Sequence, residues 1–175
     1  MSEANSLGHE QSKKVVRLLA ANPGPAQDFI TSTHENGGAS MFLHDMSTVN
    51  YGDKMNIVGK EPSKKTGKSV PTEFVNAGAA HPKLSPVQFA SHFLRLQGHA
   101  KNKKALMGSW VDSKNPTKGV QIDLSGGYKD RPTAEMKMIS RNEDAIVDAS
   151  KGFEEIRHED VRHKYEKSPR PPKEN

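Results

Sequence analysis

The sequence predicts an α+β fold: a single small domain with a mostly antiparallel sheet, three to four helices and disordered termini. Its 175 residues match one domain of ordinary size. Segments with helical and strand periodicity do not alternate strictly, which disfavours a doubly wound parallel sheet. Apolar residues make up 33% of the chain and mean hydropathy is −0.80, so some segments must lie outside the core. We therefore expect a disordered arm at 1–10, the folded domain at 11–157 and a charged, proline-rich disordered tail at 158–175.

The N-terminal half is predicted to hold two short helices and a weak hairpin. A compact apolar stripe favours a helix at 11–21, and the Pro-Gly-Pro segment that follows ends it. A second helix is expected at 25–35, and strands at 40–44 and 55–58. Residues 59–83 hold three glycines and three prolines and predict a long basic loop, pinned at its centre by an apolar Phe-Val pair. A loop of this length is often either functional or disordered.

The C-terminal half predicts the order α-β-β-α-β. A serine followed by proline at 85–86 suits a helix N-terminus, and the helix should continue to about residue 98. Strands at 106–111 and 119–125 predict an antiparallel hairpin with one wet face, followed by a helix ending near residue 141 and a buried strand at 145–147. The polar face of the first helix is expected to be solvated, and its residues are Gln88, His92, Arg95 and His99. Trp110 is expected to pack under the sheet, and a stacking platform for a base is the less favoured alternative.

Positive charge is concentrated in the middle of the chain. Between Lys54 and Lys118 there are 12 basic and 3 acidic residues, whereas the remainder holds 14 basic and 18 acidic residues. A clustered positive field attracts polyanions, of which nucleic acid is the most natural. The alternative is that flexible lysine-rich loops simply keep the protein soluble. The predicted nucleic-acid-binding residues are Lys60, Lys64, Lys65, Lys68, Lys101, Lys103 and Lys104.

Several classes of site are disfavoured. The chain has no cysteine, which excludes disulfides and thiol catalysis and fits a reducing compartment. No secretory signal or membrane-length apolar run is present, so we expect a cytoplasmic protein (host cytoplasm or virion) with no membrane contact. The eight histidines show no metal-binding spacing, so we expect no metal and no cofactor. The Gly-Lys-Ser at 67–69 resembles the end of a P-loop, but proline stands at 62, where glycine is needed, and again at 71, where a helix should begin.

The strands around Trp110 carry a resemblance. The segments are Gly-Ser-Trp-Val-Asp at 108–112, Gly-Val-Gln-Ile-Asp-Leu-Ser at 119–125 and Ala-Ile-Val-Asp at 145–148, together with Asp130, Ala134 and Asn142. This pattern resembles small uncharacterised proteins or domains encoded in tailed phages and prophages, mainly of actinobacteria. It covers about a quarter of the chain, mainly 106–149. The resemblance implies a mobile-element origin and implies no reaction.

Three functions fit these observations. The first is a non-enzymatic, phage-associated binding protein whose basic middle contacts an acidic partner, most naturally nucleic acid. The second is a small phosphodiester-processing or toxin-like enzyme that uses Asp123 with His92 or His44, with Asp112 as a second candidate carboxylate. The third is a virion or assembly protein that binds a protein partner through the helix at 85–97. The sequence favours the first and does not define an oligomeric state.

Overall fold

The computed structural model describes residues 3–166, with side chains from Gly8 onward. The chain divides into two compact units. Unit 1 comprises residues 1–49 and 60–126, and unit 2 comprises residues 50–59 and 127–175. Helices and strands occur in both units, and the strand pairs within each are antiparallel. The predicted α+β class with a mostly antiparallel sheet is therefore confirmed.

Five α-helices and seven strands lie in the described residues. In chain order they are α1 (Glu3–Ala21), α2 (Pro23–Glu35), β1 (Gly38–Phe42), β2 (Asn56–Val58), β3 (Glu73–Val75), α3 (Pro86–His99), β4 (Ala105–Trp110), β5 (Val120–Tyr128), α4 (Arg131–Ser140), β6 (Ala145–Asp148), β7 (Glu154–Arg157) and α5 (His158–Glu166). None of these helices combines the length and the apolar character needed to cross a bilayer.

Unit 1 packs α1, α2 and α3 on one face of its sheet, whose strand order is β1-β4-β5-β3. Three phenylalanines from α2 and α3 form the centre of this core, with ring centroids 5.2 Å apart for Phe29 and Phe89 and 5.9 Å apart for Phe89 and Phe93. From β5, Val120, Ile122 and Leu124 point into the same cluster, as its alternating pattern predicts. Burial of each large side chain contributes about 1.5–3 kcal/mol.

The start of α3 agrees with the sequence. Ser85 Oγ accepts from the backbone N–H of Gln88 at 3.1 Å, and Gln88 Oε1 accepts from the backbone N–H of Ser85 at 3.0 Å. The two residues therefore form a reciprocal capping box, with Pro86 in the first turn. Because this signal is local, the helix start can be read without knowledge of the tertiary structure.

Unit 2 orders its strands β2-β6-β7 and packs α4 and α5 against them. A buried carboxylate joins the two helices: Glu135 accepts from Arg131 Nε at 2.8 Å and from Tyr165 OH at 2.8 Å, and Lys164 Nζ lies 3.4 Å away. Arg131 also pairs with the buried Asp148 at 3.2 Å. Burial alone would raise the pKa of Glu135, but its hydrogen bonds outweigh burial and lower it. Burial and the hydrogen bond to Glu135 raise the pKa of Tyr165 to about 12.

The structure differs from the expected bounds mainly at the two ends. Helix α1 already begins at Glu3 within the predicted arm at 1–10, and Gly8 to Glu10 are exposed. Helix α5 occupies the start of the tail predicted at 158–175. Acidic residues in its first turn interact favourably with the positive end of the helix dipole, and Val161 of the same helix is buried. The parts of these predictions at 1–2 and 167–175 lie outside the described residues.

Candidate functional site

The basic loop of unit 1 forms a tight turn at 63–68. The backbone N–H of Ser63 donates to the carbonyl of Lys68 at 2.8 Å, and that of Gly67 donates to the carbonyl of Ser63 at 2.8 Å. Gly67 has a φ of 68°, which glycine adopts without strain. A bridge between Pro62 and Ser69 closes the turn. The Gly-Lys-Ser motif therefore lies in a hairpin-like turn, and extended residues rather than a helix follow it.

Two contacts attach this turn to the C-terminus of α3. Ser63 Oγ is hydrogen-bonded to His99 Nδ1 at 2.7 Å, and the backbone N–H of Lys64 donates to the carbonyl of His99 at 2.9 Å. Ser63 is 2% exposed, and its Oγ also accepts from the backbone N–H of Lys65 at 3.0 Å. The second contact satisfies a carbonyl that the end of the helix leaves without an internal partner. The turn is therefore a docked part of unit 1.

Docking places two sets of predicted lysines beside the same helix end. Lys64 and Lys65 directly follow Ser63, whereas Lys101 and Lys103 follow His99 by two and four residues. The side chains of all seven predicted lysines are exposed. Among the side chains described, those of residues 8–166, no carboxylate lies within ion-pair distance of Lys64, Lys65, Lys68, Lys101 or Lys103. The structure thus places Lys64 and Lys65 at the helix end that Lys101 and Lys103 follow in the chain.

The remaining predicted lysines occupy different surroundings. Lys68 lies at the far end of the turn, where its carbonyl accepts from Ser63. Lys60 precedes Glu61, whose backbone N–H donates to the carbonyl of Leu124 in β5 at 2.9 Å, so Lys60 is held beside β5 rather than beside α3. Lys60 and Lys104 each interact with a neighbouring group. The group of lysines at the end of α3 is therefore smaller than the predicted set of seven.

A groove of about 640 Å³ runs between α1 and α3, next to the docked turn. The basic residues that line it are Lys14, Lys65, Arg95 and His99. Lys65 Nζ lies 3.4 Å from the position that a Cβ on Gly98 would occupy, directly over the last turn of α3. The negative end of the helix dipole favours a cation there. We call this groove, with Lys64, Lys101 and Lys103 at its end, the basic groove.

His99 lies within the electrostatic influence of the cations at the groove. Burial lowers the pKa of its imidazole below the usual value, and the positive charges of Lys65, Arg95 and Lys64 lower it further. The pKa of His92 is also lowered, by burial and then by Arg95, against the opposing effect of Glu73. Burial and the three nearby cations therefore all favour the neutral form of the His99 imidazole.

The polar face of α3 is less solvated than the sequence predicts. His92 and Arg95 are both half-buried, because Glu73 of β3 lies against them. Arg95 Nε is 3.4 Å from Glu73 Oε1, but neither Arg95 Nε nor one terminal nitrogen has a hydrogen-bond partner in the described part of the chain. Glu73 therefore forms an ion pair with the guanidinium but does not satisfy the hydrogen bonding of these two nitrogens. The sequence indicated that Arg95 and His99 share a face, but it carried no signal for Lys14 or Ser63 as their neighbours.

The proposed catalytic carboxylates do not converge. Asp112 accepts from the backbone N–H groups of Lys114 and Asn115 at 2.9 and 3.3 Å, which are contacts that fix a turn. Asp123 lies inside β5, pairs in register with Gly108 and accepts from Ser125 Oγ at 2.7 Å. Among the described side chains, which begin at Gly8 and end at Glu166, no group of three or more histidine or acidic residues is placed to hold a metal ion.

The prediction that Trp110 packs in the core is wrong. Its side chain is 50% exposed, because β4 directs Met107 to the helices and Trp110 to the second face of the sheet. Phe74 was expected to pin the long loop to the core, and it too is exposed, at 51%, whereas its neighbour Val75 is buried. Strand alternation explains both results, since successive side chains point to opposite faces.

Comparison of the chain with protein-family models, curated proteins and solved structures gave no match.

Proposed function

We propose that this protein is a non-enzymatic binding protein that contacts the phosphates of a nucleic acid through the basic groove of unit 1. The observation that carries the proposal is the docking of Ser63 on His99, which holds Lys64 and Lys65 at the helix end that Lys101 and Lys103 follow in the chain. Like charges held together without carboxylate partners repel one another, and a polyanion relieves that repulsion. The resemblance to phage-encoded proteins stays a prediction.

The distribution of charge between the units also supports a phosphate-binding surface on unit 1. Unit 1 has 14 basic and 9 acidic residues, a net charge of +5, whereas unit 2 has 12 of each. The whole net charge of the chain therefore resides in unit 1. A concave surface lined by one sign of charge also attracts a polyanion more strongly than a flat one does.

Salt-dependent binding tests the proposal. The protein is titrated into labelled single-stranded and duplex DNA and RNA at several salt concentrations, while anisotropy and strand integrity are followed. Phosphate contacts make the logarithm of the affinity fall linearly with the logarithm of salt concentration, by about 0.7 per contact for a single strand and about 0.9 for a duplex. Binding that is insensitive to salt, or an absence of binding, would reject the proposal, and cleaved strands would favour the enzyme hypothesis.

Two double variants locate the contacts. The first is Lys64→Ala/Lys65→Ala and the second is Lys101→Ala/Lys103→Ala. In each, the slope of log affinity against log salt concentration should become less steep by up to about 1.4 for a single strand, since two contacts are removed. The matched control is Lys137→Ala/Lys151→Ala, which removes the same charge from exposed positions of unit 2. Equal effects of all three variants would show that net charge alone matters and that the basic groove is not the site.

A further inference from the structure

The second face of the unit 1 sheet carries two exposed aromatic rings in one cross-strand row. Trp110 of β4 pairs in register with Gln121 of β5, and Gln121 pairs with Phe74 of β3. Residues directly opposite each other on antiparallel strands point to the same face. Trp110, Gln121 and Phe74 therefore lie side by side, and both rings have about half of their surface in solvent.

The spacing of the rings keeps them apart. Each register pair separates Cα atoms by about 5 Å, so Trp110 and Phe74 stand roughly 10 Å apart across Gln121. At this spacing the rings do not stack on each other, and each presents a separate aromatic surface. The row continues to Gly38 of β1, where a Cβ would lie 3.3 Å from Trp110 Cε3. The indole thus leans over a backbone that carries no side chain.

We infer that this row is a stacking platform for the bases of single-stranded nucleic acid. Exposed aromatic rings on a sheet bind single strands because every base has a face that can stack, and the amide of Gln121 between them can donate to and accept from base edges. The inference rests on the proposed function, and it specifies which form of nucleic acid is bound.

The net charge of +5 on unit 1 suits a polyanion more than an apolar protein partner. Beside the platform itself, two basic residues stand near two acidic ones. The turn between β4 and β5 carries Lys114 and Lys118; Lys118 pairs with Asp112 at 3.3 Å, and Lys114 has no carboxylate within ion-pair distance in the described part of the chain. Asp123, in the next row of the same face, opposes this charge, although it is half-buried and bonded to Ser125. The backbone of a bound strand should therefore lie towards the lysine turn, with its bases over the rings.

Tryptophan fluorescence provides a direct test, because Trp110 is the only tryptophan in the chain. The intact protein is titrated with an oligothymidine of about 12 nucleotides and with a duplex of equal length. The inference predicts quenching by the single strand and much less by the duplex. Trp110→Ala and Phe74→Ala should each weaken single-strand binding about 5- to 100-fold by anisotropy. Trp110→Phe should retain part of the affinity, and Tyr51→Ala, at a ring 79% exposed in unit 2, should leave binding unchanged.

The outcomes separate the platform from the basic groove. Salt-dependent binding that leaves Trp110 fluorescence unchanged, with Trp110→Ala and Phe74→Ala binding like the parent, would overturn the platform while the basic groove stands. Quenching that persists in Lys101→Ala/Lys103→Ala with unchanged affinity would support the platform and reject the groove. A concentration-dependent change of fluorescence without nucleic acid, matched by dimers in sedimentation, would assign the face to contacts between copies of this chain and overturn the inference. An absence of binding to every nucleic acid would overturn both proposals.

Discussion

Replacing Ser63 with alanine should release the basic turn from the end of α3. The Ser63 hydroxyl is the side-chain link between the turn and His99, and it also accepts from the backbone N–H of Lys65. The change removes both hydrogen bonds and leaves the backbone contact from Lys64 to the carbonyl of His99 as the remaining polar attachment. The turn should then open locally. The core of unit 1 should stay folded, because Ser63 is not part of its hydrophobic cluster.

The expected cost follows from these two bonds. A hydrogen bond contributes about 0.5–1.5 kcal/mol net, so the docked turn should lose about 1–3 kcal/mol. If the docked turn is the form that binds a polyanion, the apparent affinity falls with the docked fraction. Since about 1.4 kcal/mol corresponds to a factor of ten, this loss weakens binding by at most about 5- to 150-fold.

Amide hydrogen exchange measures the opening directly. The amides of Lys64 and Lys65 should exchange faster in Ser63→Ala, whereas those of β4 and β5 should keep their protection. The control is Ser69→Ala, because Ser69 lies in the same loop with an exposed side chain. Unchanged protection at Lys64 and Lys65 would refute the idea that the Ser63 hydroxyl docks the turn. Equal loss of protection in β4 would show that the hydroxyl stabilises the whole unit instead.

Three further predictions concern titration and stability. Binding of oligothymidine should raise the pKa of His99, since it neutralises the cations that lower it, and a proton NMR titration of the imidazole checks this. Glu135→Gln should cost about 1–3 kcal/mol in urea unfolding, whereas the exposed Glu166→Gln should cost under about 1 kcal/mol. Because folding lowers the pKa of Glu135, its contribution is present above about pH 5 and is lost as pH falls through the folded pKa. Gly119→Ala should be clearly destabilising in thermal melts, since φ is 92° and a Cβ would lie 2.5 Å from a carbonyl oxygen of β3; Gly24→Ala, with open space around it, is the control.

Local sequence signals were sufficient to predict the start of α3 and the buried face of β5. The capping box at Ser85 and Gln88 fixes the start of α3 within four residues, and the alternation of Val120, Ile122 and Leu124 gives the buried face of β5. Both features depend on contacts between near neighbours in the chain, which is why they could be predicted. The only local signal that we identify for helix α5 is the pair of acidic residues in its first turn, and its burial depends on a contact between Val161 and the core of unit 2.

Strand register decides which face of the sheet Trp110 occupies, and this register could not be predicted from the sequence. A large apolar side chain suggests burial on composition alone. In the structure Trp110 pairs with Gln121, a residue whose alternation already places it on the wet face of β5. A register one residue different would have put the indole in the core. The Ser63–His99 contact was out of reach for a related reason, since it joins residues 36 positions apart.

The geometry of β4 connects the two proposals and gives a final prediction. Lys101 and Lys103 precede the first residue of β4, and Trp110 is its last, so at least about 17 Å separates these lysines from the platform, which lies on the face of the sheet opposite the helices. A stacked single strand advances about 3.4 Å per nucleotide, so an oligothymidine must exceed roughly five nucleotides to reach both. Shorter oligomers should quench Trp110 without loss of affinity in Lys101→Ala/Lys103→Ala, whereas a 12-nucleotide oligomer should be weakened by that variant. Affinity that depends on the lysines equally at every length would show that the groove and the rings do not bind one continuous strand.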